Sequence, residues 1–224
     1  MKYWNKLGSA PIPGTKKVLN LFQSKDDFHI KLPGGHELMS TRKHGSEDAL
    51  GSLPCERLHN SETASVLIGG LGMGFTLAAV LASVGTNAKV TVAELIPEVV
   101  EWNKGPLGDY SGNPLDDPRT DIQVIDVSEL LRSKTNAYDV IALDVDNGPE
   151  GLTQDSNNWL YTTQGINAAR NALKPKGILA YWSAGADKAF HQKLKSCGFK
   201  VDEVMVYAHG NKGARHTIWL ARER

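Results

Sequence analysis

The chain has 224 residues, of which 25 are Lys or Arg and 25 are Asp or Glu, so its formal net charge is zero. This length suits one sizeable α/β domain with a small appendage and is too short for two ordinary domains with separate cores. The balanced charge provides no overall field that would attract nucleic acid or an acidic membrane surface. We therefore expect neither as a partner.

The two cysteines, Cys55 and Cys197, lie far apart and outside any CxxC pattern. This spacing argues against a disulfide scaffold and against a zinc site, so we expect no metal. Residues 1–6 include charges but no apolar run follows them, and no secretory signal is expected. A reducing, cytoplasmic location is the resulting expectation.

Residues 1–60 are predicted to form an N-terminal arm. Proline and glycine at positions 8, 11, 13 and 14 and the absence of a period predict irregular structure up to residue 27, with one short helix over residues 17–23. Apolar and polar residues alternate over residues 28–32, and a Pro-Gly-Gly turn follows. Residues 36–41 could return as a second strand, so the sequence predicts a small β-hairpin here. A connecting helix is predicted over residues 46–53, with Ser46 as its N-cap.

Residues 61–224 are predicted to form a Rossmann-like catalytic domain. Strand-like and helix-length segments alternate, which is typical of a doubly wound, mostly parallel sheet covered on both faces. The strand-like segments are residues 65–68, 89–94, 121–125, 139–144 and 177–182, and the helices are residues 75–84, 97–104, 128–133, 159–173 and 187–197. Two last strands, residues 201–207 and 217–221, are joined by a loop over 208–216. They are predicted to pair as an antiparallel hairpin at one edge of a seven-stranded sheet.

The uncharged segment over residues 66–87 allows an alternative interpretation, because it is long enough to cross a bilayer. Four glycines crowd into its first part, at positions 69, 70, 72 and 74, and weaken any helix there. We therefore expect a strand, a glycine loop and a helix at this segment, and no membrane partner.

The glycine loop predicts a cofactor site. A strand that ends in glycines and opens a helix lets the backbone approach a ligand closely. The dinucleotide pattern GxGxxG fails, because its third position falls on Phe75, whereas Gly70, Gly72 and Gly74 satisfy GxGxG. This spacing favours an S-adenosyl cofactor over a dinucleotide.

Two acidic residues follow the next strands of the predicted sheet. Glu94 ends the second strand, where a carboxylate can accept hydrogen bonds from both ribose hydroxyls. Asp126 follows the third strand, where it could accept from the adenine amino group. An N-cap role for the helix near Ser128 is an equally good interpretation of Asp126.

An acidic loop follows the fourth strand. It contains Asp144, Asp146, Glu150 and Asp155, and no Lys or Arg occurs between Lys134 and Arg170. Such a loop would repel the carboxylate of S-adenosylmethionine but suits decarboxylated S-adenosylmethionine and an amine acceptor. Asp144 is the predicted base, Asp146 a cation holder and Glu150 a further substrate contact. A surface turn is the alternative.

Several segments together resemble spermidine synthase, the aminopropyltransferase branch of the class I methyltransferase fold. They are the glycine loop, residues 92–95 with residues 97–100, Asp126, residues 138–141 leading into Asp144, and residues 173–177. The resemblance covers about residues 60–205. It implies that Glu94 binds ribose, Asp126 binds adenine and Asp144 acts as the base, and it places Glu47 near an acidic substrate-binding position. The loop differs from the family pattern D-[ST]-[ST]-D-P, because Val145 replaces a hydroxyl residue and Asp146 comes one position early.

The leading functional hypothesis is thus an aminopropyltransferase that uses decarboxylated S-adenosylmethionine and a small-molecule amine, expected as a homodimer. The alternatives are a class I methyltransferase that uses intact S-adenosylmethionine and a nucleoside-binding homologue without activity. His44, His209 and His216 show no metal-ligand spacing and are expected to be exposed loop residues.

Overall fold

The structure, a computed structural model, describes residues 4–144, 157–210 and 212–223. A four-stranded antiparallel sheet comes first, in the order β1-β2-β3-β4. Its strands are β1 (Asn5–Pro11), β2 (Val18–Ser24), β3 (Asp27–Lys31) and β4 (Glu37–Ser40). The predicted hairpin over residues 28–41 is confirmed as β3 and β4.

The prediction of an irregular segment with a short helix over residues 17–23 was wrong. Leu19 and Leu21 are two residues apart and both are buried, which is the period of a strand and not of a helix. Pro11 ends β1, an edge strand whose outer side has no partner within the sheet, so the missing N–H of proline is tolerated there.

The second sheet has seven strands in the order β10-β11-β9-β8-β5-β6-β7. Strands β5, β6, β7, β8 and β9 are parallel, and β11 pairs antiparallel with β9 and β10, as predicted. Their bounds are β5 (Ser65–Gly69), β6 (Lys89–Glu94), β7 (Thr120–Val124), β8 (Tyr138–Leu143), β9 (Leu173–Ser183), β10 (Phe199–His209) and β11 (Lys212–Glu223). This is the doubly wound α/β class that the sequence predicted.

The helices of the described residues cover this second sheet. They are α1 (Gly45–Glu56), α2 (Phe75–Ser83), α3 (Pro97–Lys104), α4 (Gly108–Ser111), α5 (Val127–Ser133), α6 (Asn157–Leu160), α7 (Thr163–Ala172) and α8 (Lys188–Ser196), with a 3-10 turn at Pro114–Asp116. The predicted single helix over residues 159–173 was wrong. Thr162 interrupts it by capping α7, with its hydroxyl accepting a hydrogen bond from the Gly165 N–H.

Two further details of the prediction are corrected. The loop predicted over residues 208–216 is mostly strand, because β10 and β11 extend to a tight turn at Gly210, whose φ is +50°. Ser46 is not the N-cap of α1. His44 occupies that position, and Ser46 lies fully buried in the first turn.

A shared core joins the two sheets. Buried residues of the small sheet, including Leu21 and Ile30, belong to the same apolar cluster as Ile68 of β5 and Val92 of β6. In the part of the chain that the structure describes, no helix is long and apolar enough to cross a membrane. The uncharged segment over residues 66–87 is divided into β5, the glycine loop and α2.

Candidate active site

Four neighbouring strands end at one edge of the large sheet and bring the predicted site residues together. In the spatial order β8-β5-β6-β7, the strand ends lead to Asp144, the glycine loop, Glu94 and Asp126. The connection order reverses between β8 and β5, and ligands of open parallel sheets bind at such a switch point. The Asp144 N–H donates to the Gly69 carbonyl at 2.8 Å, which fixes Asp144 beside the start of the glycine loop.

The glycine loop needs its glycines for backbone reasons. Gly70, Gly72 and Gly74 have φ values of +92°, +55° and +84°, a region that side chains rarely adopt. Gly70 and Gly72 line the cavity described below. Gly74 caps α2 and packs against α3 and α4, where a Cβ would meet Ser111 Oγ at 2.8 Å and Asn103 Oδ1 at 2.9 Å.

Glu94 is buried at the end of β6 and is held by the loops on both sides. Its Oε2 accepts from the Leu71 N–H at 2.8 Å and its Oε1 from the Ile96 N–H at 2.9 Å. Burial raises the pKa of Glu94, and these two backbone donors oppose that rise. Each oxygen of an ionised carboxylate can accept more than one hydrogen bond, so Glu94 retains acceptor capacity toward the cavity.

Asp126 caps a helix, as one of its two interpretations predicted, and it also lies at the cavity. Its Oδ1 accepts from the Ser128 N–H at 2.8 Å and caps α5, while the residue also lines the cavity. Apolar side chains surround it, among them Leu95, Ile125 and Val127. A flat aromatic base with a polar edge fits such a combination of apolar walls and a carboxylate.

Asp144, at the end of β8, and Glu47, on α1, form an acidic pair. The Thr76 hydroxyl lies 3.2 Å from Asp144 Oδ2 and 3.3 Å from the Glu47 carbonyl oxygen, so it links the two residues. Burial raises the pKa of Asp144 to about 7, with the nearby charge of Glu47 as the second cause and the Thr76 hydrogen bond opposing. Burial also raises the pKa of Glu47. The negative charge of Glu47 disfavours a second negative charge on Asp144 nearby.

The cavity between the two sheets has about 760 Å³ of empty space, counting its open mouth. Side chains of the small sheet, among them Leu19, Ile30 and Met39, form one wall, and Glu94, Asp126 and Asp144 are its charged groups. None of the described residues that line the cavity is Lys or Arg. A positively charged ligand is therefore favoured over a phosphate or carboxylate.

Asp146 and Glu150, the predicted cation holder and substrate contact, lie outside the described residues, as do Asp155 and Val145. Glu47, by contrast, is described and adjoins Asp144. Its helix α1 packs against α2 so closely that a Cβ on Gly51 would lie 2.6 Å from the Thr76 carbonyl oxygen.

The sequence interpretation missed two polar residues that support the site. Thr76 is buried and contacts Asp144. The sequence feature that could have indicated this role is a hydroxyl residue in an otherwise apolar first turn of α2. Asn103 is buried in α3, where its Nδ2 donates to the Gly72 carbonyl at 2.9 Å and to the Val99 carbonyl at 2.9 Å. It anchors the glycine loop to α3, and nothing in its sequence context indicates this.

The prediction of exposed loop histidines was wrong for His216. This residue is half-buried within β11, its Nδ1 lies 2.8 Å from Ser46 Oγ, and its ring contacts Trp182 edge to face at 4.8 Å. His44 is the N-cap residue of α1 and stacks on Phe75 at 4.1 Å.

Comparison with known sequences identifies a family and several related proteins. The sequence model described as "Spermine/spermidine synthase domain" matches residues 44–201. A polyamine aminopropyltransferase of Oceanobacillus iheyensis is 26% identical over 163 residues, which are 72% of this chain and 30% of that protein. One from Prochlorococcus marinus (strain MIT 9301) is 31% identical over 151 residues, 64% of this chain and 51% of that protein. The chain thus spans about 30% of the length of the first relative and about half of the second.

Solved structures share the fold over almost the whole chain. Spermidine synthase from Thermotoga maritima superposes with a TM-score of 0.75 at 19% identity, covering 98% of this chain and 72% of that one. A spermidine synthase in complex with the transition state analogue AdoDATO gives 0.75 at 20% identity and the same coverage. A probable spermidine synthase from Corynebacterium glutamicum gives 0.67 at 17% identity, covering 100% of this chain and 81% of that one.

Proposed function

The chain belongs to the spermine/spermidine synthase family, and from this premise we propose that it transfers an aminopropyl group from decarboxylated S-adenosylmethionine to a di- or polyamine. The observation that supports the proposal best is the charge of the cavity. Three carboxylates and no Lys or Arg occur among the described residues that line it. The sequence over residues 145–156 also contains no Lys or Arg.

The donor set of the cavity fits an adenosyl sulfonium compound. Glu94 is an acceptor for ribose hydroxyls, and Asp126 with its apolar neighbours is suited to adenine. Gly70 and Gly72 permit close approach of the backbone. The compound supplies an electrophilic carbon next to its positively charged sulfur, and it has no carboxylate that Asp144 would repel.

Asp144 is suited to the role of general base. The attacking amine must be neutral, so a proton has to leave its nitrogen as the new C–N bond forms and the C–S bond breaks. A carboxylate whose pKa is about 7 accepts that proton at neutral pH more readily than an ordinary aspartate would. Glu47, beside it, attracts the positive charge of the acceptor amine. The remaining acceleration comes from holding amine and carbon in line.

Turnover of the purified chain tests this function. The chain is incubated with decarboxylated S-adenosylmethionine and linear diamines of increasing length, and methylthioadenosine and the extended amine are quantified by mass spectrometry. We expect product with at least one diamine, and we expect Asp144→Asn to lower kcat by about 100-fold or more, since a positioned base contributes that much.

Asp121→Asn is the matched control, because Asp121 is exposed on β7 and lies away from the cavity lining. It should leave turnover unchanged. Unchanged turnover of Asp144→Asn at saturating substrate would exclude Asp144 as the base. Methyl transfer from intact S-adenosylmethionine, without aminopropyl transfer, would replace the proposal with the methyltransferase alternative.

A further inference from the structure

A chain of hydrogen bonds connects β11 to the acidic pair. His216 Nδ1 lies 2.8 Å from Ser46 Oγ, and the Ser46 hydroxyl donates to Glu47 Oε2 at 2.7 Å. Ser46 is fully buried, so water does not replace either partner. This chain of hydrogen bonds starts on the C-terminal hairpin and ends at the carboxyl group of Glu47, next to Asp144.

The topology explains how His216 reaches the site. Strand β11 runs antiparallel to β9, so its first residues lie beside the carboxyl end of β9, and Thr217 pairs with Ser183. His216 precedes Thr217 and therefore lies at the same edge of the sheet as Asp144. Trp182, also at the end of β9, packs against its ring and restricts its rotation.

The donors in this chain have a defined direction. A hydroxyl has one proton, and Ser46 donates it to Oε2 of the Glu47 carboxyl group at 2.7 Å. The Ser46 oxygen must then accept from His216, so His216 has its proton on Nδ1. Burial lowers the pKa of His216, so the ring is neutral at neutral pH and a single tautomer suffices.

We propose that His216 and Ser46 are positioning residues of the acidic pair, which hold the Glu47 carboxylate oriented beside Asp144 to receive the ammonium group of the acceptor amine. Without this chain, Glu47 could rotate toward solvent or toward other donors. The inference rests on the proposed function for the identity of the ligand. The link from His216 to Glu47 itself does not depend on it.

Other ionisable groups also act on the Glu47 carboxyl group. His44 and Asp48 act on it from its own helix, with His44 lowering its pKa and Asp48 raising it, and Asp144 faces it from the end of β8. His44 is engaged with Asp48 at 2.8 Å. Among the described residues, Ser46 is the largest single influence that favours the ionised form of Glu47.

The test compares Ser46→Ala, His216→Leu and His216→Asn. Asn places an amide N–H near the position of Nδ1 and should preserve the hydrogen bond to Ser46, whereas Leu removes the donor. We expect Ser46→Ala to raise KM for the amine about 10-fold with a smaller change in kcat. His216→Leu should also raise this KM. His216→Asn should have a KM within about twofold of the parent. The acid limb of kcat/KM should move to higher pH by about 0.5 to 1 unit in Ser46→Ala, because ionised Glu47 loses a donor.

A measurement without turnover separates this inference from the proposed function. Carbon-13 NMR of labelled Asp and Glu carboxyl groups follows the titration of the pair directly, and Ser46→Ala should shift it to higher pH even if the chain transfers no aminopropyl group. A titration unchanged in both Ser46→Ala and His216→Leu would overturn the inference.

A double-mutant comparison excludes a merely structural effect. In the Glu47→Gln background, His216→Leu should change KM for the amine no further, because the group that it orients no longer attracts the amine. An equal effect in both backgrounds would contradict the proposal. His209→Leu is the control, since His209 is exposed on the same hairpin and its Nδ1 contacts only the Arg42 carbonyl among the described hydrogen bonds.

Discussion

Asp144 shows how one residue connects stability with chemistry. Its environment raises its pKa from 3.8 to about 7, first through burial and then through the charge of Glu47. The ionised form is thus disfavoured in the folded chain, and a raised pKa is the property that the proposed base needs at neutral pH. Residues of this kind commonly lower the stability of the protein that uses them.

The sign of this effect can be tested with Asp144→Asn. Between pH 4 and pH 7 the folded chain retains a proton on Asp144 that the unfolded chain has released, so the free energy of unfolding falls as pH rises through this window. Asn does not titrate, and the variant should lack this decrease. We expect it to be more stable than the parent by about 1 to 2 kcal/mol at pH 8, a value reduced for the partial solvent exposure of the group, and nearly equal at pH 4.

Urea denaturation at pH 4, 6 and 8 measures this difference. Asp121→Asn should follow the parent at every pH, because Asp121 is exposed. A stability difference that does not change with pH would show that Asp144 titrates as an ordinary aspartate.

At the level of single residues, the sequence predicted the acidic site residues at strand ends. It missed the polar residues that contact and position these acidic residues. Glu94, Asp126 and Asp144 each lie at the end of a strand-like segment or directly after it. Because parallel strands end at one edge of a sheet, the meeting of these residues was predictable. Thr76 and His216 are single polar residues within a helix and a strand. Their contacts depend on how α1 packs against α2 and β11, which no local pattern encodes.

At the level of elements, the closest approach in the site is between α1 and α2. A Cβ on Gly51 would lie 2.6 Å from the Thr76 carbonyl oxygen and 2.7 Å from Ala79 Cβ. Glycine at this position therefore allows the two helices to meet, and their contact keeps Glu47 beside Thr76 and Asp144.

Gly51→Ala should separate the helices. We expect a loss of about 1 to 2 kcal/mol in the free energy of unfolding, because the overpacking outweighs the gain of up to about 1 kcal/mol in helix propensity. Turnover should fall as well. Gly185→Ala is the control, since no atom lies within 4 Å of the Cβ position and its φ is not left-handed. A Gly51→Ala variant as stable as the parent would show that the helices have room to adjust.

The elements predicted correctly are those with the strongest patterns. Strands buried on both faces, such as β5 and β8, appear as continuous apolar runs, and the regular alternation with helices indicates their parallel order. Strands β1 and β2 were missed because proline and glycine near β1 obscured a period of two that only Leu19 and Leu21 display. The turn at Gly210 was mistaken for a long loop because charged and glycine residues continue well into β11.

At the level of the whole molecule, the cavity depends on both sheets. Met39 of the small sheet approaches the glycine loop so closely that its Sδ would lie 3.4 Å from a Cβ on Gly72. The large sheet supplies the carboxylates and the small sheet supplies an apolar wall. The sequence predicted the first part from strand ends, but the second part required the four-stranded sheet, which was not recognised.

A cavity with carboxylates and no cationic side chain among its described lining residues should select a cationic cofactor. Isothermal calorimetry with decarboxylated and intact S-adenosylmethionine, under identical conditions, measures this selection directly. We expect the decarboxylated compound to bind at least about 10-fold more tightly, because the carboxylate of the intact compound is repelled by Asp144 and Glu47. Equal binding, or tighter binding of intact S-adenosylmethionine, would contradict it.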